Sequence, residues 1–278
     1  MQLVKMRLTS MVVFSSVAAF LIVSSFGVSI EYVVLLALGG FFVAGASNAL
    51  NEVLEKDYDK LMVRTKDRPI AAGRMTMSTG VLIAGLMSLL GISILALFNP
   101  LTGFLGMLSL ILYAFVYTPM KRQSPVAVLL GAIPGAMPML IGCVAYQGYI
   151  STMGLALFTF LFLWQIPHFW AIGYLGLEDY NKAGYKFIPQ SKDTITENIK
   201  IQSVVITLLM AIGSTVFLYL NELSFIAVSM MVICGLGFAY TAYKFMMQTD
   251  RSSALRLMFG SIIYLPMVLI IMMIDKIF

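Results

Sequence analysis

The chain has 278 residues, of which 60% are hydrophobic and 11% charged, with a mean hydropathy of +0.94. A soluble domain carries about 25% charged residues, so a water-soluble globular fold is excluded and lipid is the solvent. The formal charge of +5 has no soluble basic domain to carry it; it reads as membrane sidedness and attraction to anionic headgroups, with no nucleic-acid partner.

Apolar runs of about 18 or more residues, long enough to cross a hydrocarbon core about 30 Å thick, recur along the whole chain. They predict about nine transmembrane helices, near 9 to 28, 31 to 50, 76 to 97, 100 to 118, 125 to 146, 151 to 173, 201 to 219, 223 to 246 and 255 to 274. Lipid admits only helices and closed barrels, and these runs lack the alternation of barrel strands. The expectation is an all-α polytopic membrane bundle, with residues 1–278 as a single domain. The first span follows Lys5 and Arg7 and has some look of a signal peptide. Its apolar stretch is longer than a signal core, lacks a clear small-residue cleavage site and runs almost directly into the next span. Cys143 and Cys234 fall inside predicted spans without metal-ligand spacing, and read as small packing residues.

Basic residues report orientation, because positive loops stay cytoplasmic. With the amino terminus inside, every Lys and Arg except Lys276 falls on the cytoplasmic side. The long polar connections, near 51 to 75 and 174 to 200, follow the second and the sixth helix, which suggests two four-helix halves plus a ninth helix. Charge is scarce away from the span ends, which counts against an ion-coupled transporter. Chemistry is therefore expected at the cytoplasmic helix ends, above a central apolar cavity opening toward that side.

The second helix runs out into NEVLEKDYDKLMVRTKDRPIAAGR, residues 51–74. Asn51, Glu55 and Asp59 stand at i, i+4 and i+8, and each step drifts only about 40° around a helix, so they share one face. Glu52 and Asp57 add negative charge nearby. Such a row of oxygen ligands suits Mg²⁺, which bridges one or two carboxylates to substrate phosphates. Arg64, Lys66, Arg68 and Arg74 follow, and guanidinium groups pair bidentately with phosphate oxygens. The same stretch also reads as a solvated positive-inside loop. Tyr117, Lys121 and Arg122 in YTPMKR could add phosphate contacts or serve as a topology anchor.

The sixth helix ends in FLWQIPHFWAIGYLGLEDYNKAGYKFIP, residues 162–189. His168, the sole histidine, stands beside the helix-bending Pro167 and among Trp164, Phe169 and Trp170. It reads as a packed polar residue, an axial ligand for a haem iron or a contact to a substrate carboxylate. The aromatic rings could stabilise a carbocation or form an interfacial belt. Glu178 and Asp179 could hold a second metal, with Lys182 and Lys186 beside them for phosphate.

Taken together, the acidic row, RTKDRP, AAGR, YTPMKR and above all WQIPHFW followed by EDYNKAGYKFIP resemble the protoheme IX farnesyltransferases (haem O synthases) of the UbiA-type intramembrane prenyltransferases. The resemblance runs from about residue 7 to the end of the ninth helix. It implies Mg²⁺-dependent binding of farnesyl diphosphate at the cytoplasmic end of a helical bundle, with haem B as the acceptor of the farnesyl group. Asn51, Glu55, Asp59 and Asp179 would be metal ligands, with Glu55 standing where the family usually has Asp. Ala183 follows Asp179 at the position where other branches carry a second Asp. Arg64, Lys66, Arg68, Arg74, Tyr117, Lys121, Arg122 and Lys182 would bind diphosphate, and His168, Trp164, Phe169 and Trp170 would bind haem. The expected catalytic group is Asn51, Glu55, Asp59, Arg64 and Arg68. A bacterial plasma membrane is implied, and a haem A synthase or oxidase-assembly protein as a partner. The competing readings are a related prenyltransferase acting on an aromatic or quinone-precursor acceptor, and a non-catalytic porphyrin or isoprenoid carrier.

Overall fold

The computed structural model describes residues 2–25, 27–191 and 194–277; residue 26 of the first predicted span and Lys192 lie outside them. Among the described residues nine helices are long and apolar enough to cross a membrane. They are α1 (Met6–Ser24), α2 (Ile30–Leu54), α3 (Met77–Ala96), α4 (Pro100–Met120), α5 (Ala127–Gln147), α6 (Thr152–Leu175), α7 (Glu197–Tyr219), α8 (Phe225–Gln248) and α9 (Arg251–Ile277). The protein is a multi-pass integral membrane bundle. The nine predicted spans coincide with these helices apart from shifts at their ends.

Local sequence sets several of those ends. Thr76, Asn99, Ser151 and Ser224 precede α3, α4, α6 and α8, and each side chain accepts a hydrogen bond from an amide of the first turn. That satisfies donors which neither the helix nor lipid could satisfy. Gly148 closes α5 in the left-handed conformation with φ 79°.

α5 is the most buried span and forms the centre, against α1, α4 and α6. Its crossing with α1 is nearly backbone to backbone: a Cβ added at Gly142 would lie 2.1 Å from the Ser16 carbonyl oxygen. Pro138 removes an amide from α5, and the freed Pro134 carbonyl accepts from Ser109 Oγ of α4 at 3.3 Å. α6 packs on α9 and α7, α7 on α8, and α9 returns to α1, so the second half of the chain closes against the first.

The two ends of the bundle differ. At one end Lys5, the ends of α2, α4 and α6 and the turn after α8 are cross-tied. Lys5 Nζ donates to Asn51 Oδ1, the Lys186 amide to the Lys121 carbonyl, the Arg64 amide to Asp179 Oδ2, and Tyr174 Oη to the Thr249 carbonyl. At the other end Lys276 pairs with Glu222 at 3.0 Å, and Asp275 caps α8 through the Ser224 amide.

Candidate active site

The acidic row is built where α2 stops. α2 ends at Leu54, Glu55 takes φ −102° and ψ 7°, and a single helical turn follows at Lys56–Asp59. The row therefore does not lie on one regular helix. Its spacing survives the break, because the Glu55 amide still donates to the Asn51 carbonyl and the Asp59 amide to the Glu55 carbonyl. Asn51, Glu52, Glu55 and Asp59 are all buried, at 2%, 1%, 3% and 0% exposure.

Carboxylates so deep require cations. The Arg68 guanidinium sits among three of them: its Nη1 donates to both Asp59 oxygens at 2.9 and 2.7 Å and lies 4.0 Å from Glu55 Oε2, and its Nε lies 3.9 Å from Glu52 Oε1. Lys121 Nζ lies 2.5 Å from Glu55 Oε1 and over the rings of Tyr117 and Tyr185. Asn51 joins the elements: its amide donates to Glu55 Oε2 at 2.8 Å and Thr118 Oγ1 at 3.2 Å, and its Oδ1 accepts from Lys5 at 2.7 Å.

These neighbours set the protonation of the groups beyond the helix ends. Burial pushes Glu55 upward, but Lys121, Lys5 and the Tyr185 hydroxyl outweigh it and hold its carboxyl below the ordinary value. Burial pushes Asp59 upward by more than Arg68 lowers it. Burial, reinforced by Arg68 and Lys121, lowers Lys5 to about 7. Burial and the charge of Glu55 raise the Tyr185 phenol.

Lys121 reaches the row through an irregularity in α4. Residues Leu112–Tyr117 form a π-helical turn, after which Thr118–Met120 resumes the α-helix. Tyr113 and Tyr117 stand 5.4 Å apart between ring centroids. A Cβ on Gly131 of α5 would lie 2.6 Å from the Tyr117 ring, so this glycine provides the room for Tyr117 beneath Lys121. π-Turns of this kind often stand at functional sites.

The remaining predicted residues divide. Arg122 lies over the Tyr58 ring at 4.6 Å. Arg64 donates through Nη2 to Tyr180 Oη at 3.3 Å and through its amide to Asp179, so Asp179 pins the loop after α2. Lys66 is exposed, Arg74 donates to Gln2 Oε1 and the Asp67 carbonyl at the surface, and Lys182 pairs with exposed Glu178. On α6, Trp164 and His168 stack at 4.9 Å, and the Phe169 ring is 6.1 Å from His168. Trp170 is two residues further, about 200° around the helix; it is buried, and its Nε1 has no partner among the described residues.

The site also contains residues to which sequence reasoning gave no ligand or contact role. Glu52 stands at i, i+3 and i+7 with Glu55 and Asp59, a helical stripe as good as the one chosen. Both its oxygens are buried without a hydrogen-bond partner among the described residues. Lys5 reads in sequence as a topology signal, yet its ammonium enters the row. Ser261 of α9 contacts both Trp164 and His168 and carries no sequence signal.

Among the described residues no three His, Cys, Asp or Glu side chains are gathered as a metal site, since Arg68 and Lys121 stand between the carboxylates. The donors themselves fit a hard cation: they are all oxygens, and the Glu52 carboxylate is buried with open lone pairs.

A family model described as the UbiA prenyltransferase family matches residues 12–263. The chain belongs to this family. It is 38% identical over 280 residues to a protoheme IX farnesyltransferase of Christiangramia forsetii, covering 99% of this chain and 92% of the relative. The protoheme IX farnesyltransferase of Flavobacterium psychrophilum is 39% identical over 284 residues, covering 99% and 93%. Membership makes the protein a transferase of the prenyl class. Solved structures share the fold at low identity. One, of digeranylgeranylglyceryl phosphate synthase, has a TM-score of 0.82 at 17% identity and covers 99% of this chain and 96% of that one. A UbiA homolog from Archaeoglobus fulgidus bound to GPP and Mg²⁺ has a TM-score of 0.66 at 16% identity, covering 98% of each chain.

Proposed function

We propose that the protein is a protoheme IX farnesyltransferase: it transfers farnesyl from farnesyl diphosphate to the 2-vinyl group of haem B, with addition of water, giving haem O and diphosphate. The observation that carries this reading is the buried row of Asn51, Glu52, Glu55 and Asp59, interlocked with Arg68 and Lys121 at one end of an apolar helical bundle. Relatives of that name at 38% and 39% identity over nearly the whole chain support the choice of substrates.

Residues 1–278 act as a single prenyltransferase domain, with the amino terminus and the row on the cytoplasmic side and a central cavity opening that way. The end bearing nearly all the Lys and Arg supports this orientation. Asn51, Glu52, Glu55 and Asp59 would hold Mg²⁺, which supplies charge neutralisation for the departing diphosphate. Arg68 and Lys121, with Arg64 and Arg122 nearby, pair with phosphate oxygens and stabilise the negative charge that grows as the C1–O bond breaks. The electron pair of that bond leaves on diphosphate. The vinyl π electrons form the new bond to C1, a water adds to the resulting porphyrin-side cation, and a proton departs. Apolar helix walls shield the allylic cation from water, and the aromatic rings of α6 offer their π faces. His168 contacts the haem. No protein nucleophile takes part.

Membranes containing the protein, supplied with haem B, farnesyl diphosphate and Mg²⁺, should yield haem heavier by one farnesyl group plus one hydroxyl in mass analysis. A chelator should abolish the gain. Unchanged haem from folded protein with metal present overturns the assignment.

A further inference from the structure

His168 is held by a proton inventory that can be closed. Its Nδ1 lies 2.7 Å from Ser261 Oγ, and the same Oγ lies 2.6 Å from the Met258 carbonyl oxygen. A serine hydroxyl has one proton. A carbonyl oxygen accepts and cannot donate, so at 2.6 Å the Ser261 proton belongs on the Met258 contact. Ser261 Oγ then faces His168 with lone pairs only, and the proton between them is carried by Nδ1. In a neutral imidazole that leaves Nε2 as the bare nitrogen.

The ring plane is fixed as firmly. Trp164, one helical turn before His168, stacks on it at 4.9 Å with 16° between planes, and its own Nε1 donates to the Ser261 carbonyl at 2.9 Å. One residue of α9 thus orients both rings of α6. Among the described residues Nε2 has no hydrogen-bond partner, and it is not among the sealed, unpartnered buried atoms.

We infer that Ser261 is a positioning residue which, through its hydrogen bond, fixes His168 as the Nδ1–H tautomer and so presents the Nε2 lone pair to the haem iron of the acceptor. Histidine ligands generally donate their second N–H to an oriented acceptor, which sets the tautomer and raises ligand basicity. This deepens the proposed function and rests on its reading that His168 contacts haem.

The chain's single histidine makes the test direct, provided the affinity tag contains none. The protein labelled with ¹⁵N-histidine, in lipid nanodiscs, should show by NMR one protonated Nδ1 and one bare Nε2. Ser261→Ala should move the population toward the Nε2–H form and weaken ferric haem binding by about 10–100-fold, with farnesyl diphosphate binding unchanged as the check on folding. Ser261→Thr, which keeps the hydroxyl, should restore both. A wild-type Nε2–H tautomer, or a Ser261→Ala protein with unaltered tautomer and haem affinity, overturns the role of Ser261. Separately, undiminished haem affinity in His168→Gln overturns the contact between His168 and haem on which the inference stands.

Discussion

The segments after α2 and after α6 look alike in sequence, each placing carboxylates and basic residues just past the end of a membrane helix. In the fold they are opposites. Where α2 ends the carboxylates of Glu52, Glu55 and Asp59 are sealed, and Arg68 and Lys121 are drawn in among them. After α6 the side chains of Glu178 and Lys182 are 84% and 53% exposed and pair in water, where such a bridge contributes about 0–1 kcal/mol. The same residue types are thus a charged core in one place and a solvated surface in the other. What separates them is the company of neighbouring helices, since Lys5, Thr118 and Lys121 all converge on the α2 end.

Asp59→Ala should break this contrast most severely. It leaves the Arg68 guanidinium without its nearest carboxylate, and removing one partner of a buried ion pair destabilises a protein by about 3–5 kcal/mol. Farnesyl transfer should vanish, and the thermal unfolding midpoint in detergent should fall. Lys121→Gln keeps much of the packing against Tyr117 and removes one charge from the departing diphosphate. Its kcat should drop by about 10²–10³-fold, read as farnesylated haem per minute.

Lys5 sharpens the comparison through pH. In the fold it is lowered to about 7 from an ordinary 10.5, so between those values the unfolded chain carries more protons. Stability contributed by this group therefore rises as pH rises through that window. Thermal unfolding of wild type against Lys5→Met, measured from pH 6 upward, should show the rise only in wild type. The smallest effect belongs to the α6 end: Glu178→Gln should leave stability within about 0.5 kcal/mol and turnover unchanged.

The helices were legible because lipid imposes a length and a polarity that sequence cannot disguise. The site was legible in part, for reasons that individual residues explain. Asn51, Glu55 and Asp59 stand out because helical spacing is a local property that survives the break at Glu55. Lys66, Arg74 and Lys182 resemble Arg68 and Lys121 in chemistry, and only tertiary packing sorts the surface residues from the buried ones. Trp170 neighbours His168 in sequence but, two residues on, lies about 200° around α6 from it. Ser261, which holds His168, is 93 residues away, a distance that no local pattern spans.

The π-helical turn at Leu112–Tyr117 carries a consequence for how α4 tolerates change in length. The turn houses one residue more than a regular α-helix would, and everything after it is rotated accordingly. Deleting Phe115, whose side chain lies at the exposed face, would let α4 anneal into an ordinary α-helix without loss of a membrane span. Thr118, Lys121 and Arg122 would keep their facing, because the deletion removes the surplus residue that the turn absorbs, and Lys121 would stay on Glu55. A shortened α4 would thus keep its register, whereas straightening the turn with the residue retained would swing Lys121 by about 100° off Glu55. In this protein the π-turn works as a slack link, taking up a surplus residue so that α4 stays meshed with the end of α2.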